Sequence, residues 1–111
     1  MSAVRKKSET CGQQLRRMCK NIAEEISNDS HDGEIDGASR FMEDVYDIRY
    51  IVDREKRYYS AELMVAGGGP TIWVNLNTKE VEGYWGCDRV TVPFIDELGL
   101  DDYCEEMYAS S

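Results

Sequence analysis

Residues 66–88, AGGGPTIWVNLNTKEVEGYWGCD, constrain this chain more than any other stretch. Three glycines and a proline make a corner that suits a turn and ends a strand. Residues 71–76 (TIWVNL) and 81–86 (VEGYWG) then alternate about the polar turn Asn77-Thr78-Lys79-Glu80, the pattern of a β-hairpin. Ile72, Val74 and Leu76 fall on one face of the first strand and Trp73 on the other. In the returning strand Val81, Gly83 and Trp85 share a face, opposite Glu82 and Tyr84.

Two further strands are predicted upstream. Residues 45–53 (VYDIRYIVD) are β-rich, and residues 58–66 (YYSAELMVA) alternate with Tyr59, Ala61, Leu63 and Val65 on one face. The polar turn Arg54-Glu55-Lys56 joins them. Residues 8–28 carry Leu15, Met18, Cys19, Ile22 and Ile26 at spacings of three and four, an amphipathic helix that Ser8 or Thr10 would cap. Residues 39–44 suit a single helical turn. After the irregular segment RVTV and Pro93, residues 95–108 suit a short acidic helix interrupted by Gly99. The expectation is one α+β domain over 1–111. It is a four-stranded antiparallel meander with an N-terminal amphipathic helix and a short acidic C-terminal helix on one face.

Charge narrows the function. The chain has 22 acids against 13 bases, a net of −9, and the signs are segregated. Residues 1–20 are basic by five, residues 21–55 acidic by eight, and residues 96–111 hold six acids and no base. Direct nucleic acid binding is disfavoured, and a basic protein surface is the expected partner. Residues 8–28 place bases near the helix start and acids near its end, against the macrodipole, so packing must hold that helix. There is no apolar run of membrane-spanning length and no secretory signal in MSAVRKKSETCGQQ, which predicts a cytoplasmic protein.

Residues able to do chemistry do not converge. The four cysteines, Cys11, Cys19, Cys87 and Cys104, are scattered without a C-x-x-C pair, which suggests reduced thiols. Asn28, Ser30, Asp32, Gly33 and Asp36 approach an EF-hand loop, but Ser39 stands where calcium needs a bidentate carboxylate. A solvated acidic loop fits better. The glycine corner lies between strands and has no lysine or arginine, so it is not a phosphate loop. His31 has no nucleophile beside it, and Cys87 has Asp88 and Arg89 but no histidine. No catalytic residue, metal site or cofactor is assigned, and the chain is read as no enzyme.

Two surfaces remain. The aromatic residues Tyr58, Trp73, Tyr84 and Trp85 either pack against one another or offer an exposed anchor. The acids Asp96, Glu97, Asp101, Asp102, Glu105 and Glu106 repel one another along a short helix, which a basic groove would relieve.

Residues 65–74 (VAGGGPTIWV) and 82–88 (EGYWGCD) resemble small uncharacterised proteins associated with phages and mobile elements. That resemblance implies an accessory protein of host cytosol that inhibits a defence nuclease, of the anti-CRISPR or anti-restriction kind. The six acids would occupy a nucleic-acid-binding groove of the effector complex, with Trp73 and Tyr84 as anchors. The basic N-terminal helix departs from a uniformly acidic mimic of nucleic acid. The alternative is a structural or regulatory subunit that self-associates, as a homodimer for instance, through its sheet face or N-terminal helix.

Overall fold

Thr10 begins the first ordered helix. Its hydroxyl accepts the Gln13 N–H at 3.0 Å while the Gln13 side chain accepts the Thr10 N–H at 3.0 Å, a reciprocal capping box. In the computed structural model, which describes residues 10–28 and 37–110, α1 spans Cys11–Ser27 and ends at Asn28. Leu15, Cys19, Ala23 and Ile26 are its buried residues; of the stripe expected from the sequence, Met18 and Ile22 are only half-buried against the core, and Ala23 joins it. A short α2, Gly37–Met42, follows and buries Ala38 and Phe41. The EF-hand-like loop falls largely on residues 29–36, as does His31, and so lies outside the described residues.

The sheet has five strands where four were expected. β1 (Asp47–Val52), β2 (Tyr58–Ala66), β3 (Thr71–Asn75), β4 (Glu80–Trp85) and β5 (Asp88–Pro93) pair in chain order, all antiparallel. The segment read as irregular is β5. Trp85 pairs directly with Asp88, so Gly86 and Cys87 form a two-residue hairpin turn, and Gly86 supplies the positive φ (62°) at its first position. Pro93 is the last residue of this edge strand, where a missing N–H is tolerated.

A β-bulge corrects the expected face of Tyr59. Ile51 pairs with Ser60 and Val52 with Tyr58, leaving Tyr59 as an extra residue on the bulged strand. Tyr59 is exposed, and Tyr58 is the ring that packs against the core.

Cross-strand partners sort the faces. Ile48, Leu63, Val74, Val81 and Val92 lie opposite one another in turn, as do Ile72, Gly83 and Val90, and all belong to one apolar face. α1 lies over β4 and β5 on that face, and the last helix, α3 (Leu100–Ser110), lies over β2. Gly83 admits the close approach of α1: a β-carbon there would sit 2.6 Å from Cys19 Sγ and 2.8 Å from Leu15 Cδ1. α3 starts five residues later than expected, because Gly99 (φ 76°) breaks the chain before Leu100. Among the described residues, no helix is long and apolar enough to cross a membrane.

Candidate functional site

The acids assigned to binding divide once their contacts are seen. Asp96 lies before α3 and caps it: its carboxylate accepts the Leu100 N–H at 2.8 Å and the Asp101 N–H at 3.0 Å. Asp101 accepts the Tyr58 hydroxyl at 2.7 Å across the helix–sheet junction. Both are thereby engaged in holding α3 in place. Glu97, Asp102, Glu105 and Glu106 are exposed, and α3 carries no base in its last turn.

Beneath α3 lies a tyrosine cluster. The ring centres of Tyr50 and Tyr58 are 6.3 Å apart, edge to face, and those of Tyr50 and Tyr108 are 5.1 Å apart. The Tyr108 hydroxyl donates to the Lys56 carbonyl at 2.6 Å, tying the end of α3 to the β1–β2 turn. That turn is itself ordered by Asp53, whose carboxylate accepts the Glu55 and Arg57 N–H groups and pairs with the Arg57 guanidinium at 2.9 Å. Burial, reinforced by the hydrogen bond to Asp101, pushes the Tyr58 hydroxyl far above its ordinary titration range. Burial also raises Tyr50, and it lifts the Cys104 thiol to about 12, with the Asp101 and Asp96 charges adding to the effect. Beside the cluster, Tyr50, Tyr103, Glu106, Met107 and Ser110 line an open hollow of about 450 Å³.

The opposite sheet face has a different character. Trp73 lies there beneath the Arg49 guanidinium, whose carbon is 4.4 Å from the ring centre. Tyr84 is on the same face, with the Arg89 guanidinium 5.7 Å from its ring. Near them Asn75 organises the β3–β4 turn, accepting the Asn77 and Thr78 N–H groups at 2.9 and 3.1 Å. Its amide nitrogen makes long hydrogen bonds to Glu62 (3.5 Å) and Glu82 (3.4 Å). Among the described residues, no helix packs on this face.

The acids of α3 and the pair Trp73 and Tyr84 therefore occupy opposite sides of the sheet and form no single surface. Of the other two aromatic residues singled out from sequence, Tyr58 and Trp85 belong to the helix-covered side. Sequence reasoning missed the cluster that Tyr50 and Tyr108 make with Tyr58. Three of the seven tyrosines fall on one face of β1–β2 or one side of α3, and that signal became legible only with the bulge that turns Tyr58 inward.

α1 presents Arg16, Arg17 and Lys20 to solvent, apart from both surfaces. All four cysteines are free thiols, Cys19 and Cys104 buried and Cys11 and Cys87 exposed. Among the described residues, no group of three or more His, Cys, Asp or Glu side chains could hold a metal ion. No family model matches the chain, and no curated protein and no solved structure matches it.

Proposed function

We propose that this protein acts by binding, docking the acidic side of α3 onto a basic surface of a nucleic-acid-binding effector. The observation that carries the reading is the set Glu97, just before α3, and Asp102, Glu105 and Glu106 on it, all exposed and with no base on the helix. Asp102 and Glu106 stand four residues apart, a like-charge spacing that weakens a helix by about 0.2–0.5 kcal/mol. A lysine- or arginine-rich groove would turn that repulsion into attraction and quicken association. The resemblance of the glycine corner and YWG hairpin to phage and mobile-element proteins suggests the class of effector, a host defence nuclease of the CRISPR or restriction kind. In this reading Asp96 and Asp101 orient the helix, while the four exposed acids meet the partner.

The test is affinity capture from host lysate at low and at high salt, with the partner identified by mass spectrometry. The same capture is run with Glu97, Glu105 and Glu106 changed to Gln and Asp102 to Asn. Recovery of a nucleic-acid-binding complex at low salt, lost at high salt and in the four-acid variant, is expected. Equal recovery by the variant would overturn the assignment.

The uncovered sheet face supports a second reading, self-association through Trp73, Tyr84 and Met64. Light scattering would then show a dimer that persists at high salt, and a Trp73→Ala variant would be monomeric.

A further inference from the structure

The hollow beside α3 combines three features that favour the same ligand chemistry. Its aromatic lining is Tyr50 and Tyr103, whose ring faces attract a cation. Its charged wall is Glu106, which makes no ion pair among the described residues. It also sits along the last two turns of α3, where the helix dipole is negative and no basic side chain offsets it. Met107 adds a polarizable apolar contact suited to an alkyl stem.

One aromatic wall of the lining, Tyr50, is also held in place. Tyr50 is braced by Tyr58 and Tyr108, and each of these is fixed at its far end, one by Asp101 and the other by the Lys56 carbonyl. A cation entering the hollow would meet Tyr50 already ordered, so little of that ring's side-chain entropy remains to be lost.

We infer that this hollow is the anchor pocket of the docking face, and that it receives one arginine side chain of the partner protein. The inference rests on the docking reading of α3 and names the residue type captured there. Arginine fits better than lysine because a planar guanidinium stacks on aromatic rings while keeping in-plane donors for a carboxylate. Tyr50 and Tyr103 would supply the faces, Glu106 the acceptor, and Met107 the contact for the methylene stem. The hollow opens to solvent at about 450 Å³, ample for one such side chain.

The experiment uses the full chain, titrated by NMR with N-acetyl-argininamide and, separately, with its citrulline analogue, which has the same shape without the charge. Arginine should shift resonances of Tyr50, Tyr103, Glu106 and Met107, and citrulline should shift them far less. Glu106→Gln is an exposed substitution that leaves the fold intact, and it should weaken arginine binding by about two- to fivefold at low salt. Glu24→Gln, on the exposed side of α1, is the control for general charge and should leave the affinity unchanged. Equal shifts from both probes, shifts spread evenly over the exposed acids, or identical weakening by the two variants would overturn the pocket. Localised arginine shifts alongside undiminished capture by the four-acid variant would uphold the pocket and overturn the docking reading.

Discussion

Replacing Gly83 with alanine should destabilise the protein, although the same change in an ordinary strand would stabilise it. Gly83 is buried in β4, opposite Val90 on one side and Ile72 on the other. The added β-carbon would lie 2.6 Å from Cys19 Sγ, 2.8 Å from Leu15 Cδ1 and 3.1 Å from Leu15 Cγ. Non-bonded carbons settle at about 3.5–4.0 Å, so α1 must lift by close to ~1 Å or both side chains must leave their wells. Leu15 and Cys19 are fully buried one turn apart on α1, which leaves neither a free direction. Overpacking of this kind costs about 1–3 kcal/mol, and the entropy lost with glycine returns about 0.4–1 kcal/mol. A net loss of about 1–2 kcal/mol follows, which would lower Tm by roughly 4–10 °C in a domain of this size. Urea unfolding and calorimetry measure it directly. A double-mutant cycle locates it, because Cys19→Ala removes the shortest overlap and should cost less in the alanine background than in the parent. A Gly83→Ala protein as stable as the parent, or more stable, would refute the account of how α1 meets the sheet.

The division of the α3 acids makes a second prediction. Asp96→Ala removes the acceptor of two helix N–H groups and should cost about 1 kcal/mol, whereas Asp102→Asn should stay within about 0.5 kcal/mol, both read from urea midpoints. The thiols make a third. Burial raises Cys19 to about 11 and Cys104 to about 12, so native protein near neutral pH should be alkylated by iodoacetamide at the exposed Cys11 and Cys87 alone. The unfolded chain would release those protons near the ordinary thiol value of 9.0, so the folded state holds more protons above that pH. Their contribution is therefore complete below about pH 9 and lost as pH rises toward 11–12, by up to about 1.4 kcal/mol per thiol per pH unit. Melting temperatures that held constant from about pH 8 to about pH 11 would contradict the burial of both groups.

Alternation carried the hairpin well, because a strand buried on one face obeys a strict period of two. Ile72, Val74, Val81 and Gly83 face the helices, and Trp73, Glu82 and Tyr84 face away, as their order along the chain requires. The same period misplaces Tyr59, since a bulge adds a residue without any mark in composition. β5 escaped notice for a related reason. Arg89, Thr91 and Pro93 make it look irregular, and only its pairing with β4 through a two-residue turn makes it a strand. Charge counting found the acidic helix but could not separate acids that cap or brace from acids left over. Asp96 and Glu97 are neighbours in sequence, yet one faces the N–H groups of α3 and the other faces solvent. Nor could periodicity reveal that Trp73 and the α3 acids lie on opposite sides of the sheet. That separation depends on which face both helices choose.

The position of each acid on α3 sharpens the argument for where a partner would sit. Negative charge near a helix N-terminus is favourable, and there Asp96 and Asp101 also hold hydrogen bonds. The start of α3 is thus already satisfied within the chain. Toward the C-terminus the balance reverses. Glu105 and Glu106 lie beyond the favourable first turn, each follows an aspartate by four residues, and α3 carries no base. Folding alone gives no reason to concentrate charge where it opposes its neighbours. A cation bound there would relieve that repulsion, and the tyrosine-lined hollow lies at that end. If docking used the start of α3 instead, neutralising Glu105 and Glu106 would stabilise the helix and leave capture intact. If it uses the end, the same pair of substitutions should raise stability slightly while capture falls. Opposite signs for stability and binding in one double variant would mark the place where this helix is held unsatisfied until its partner arrives.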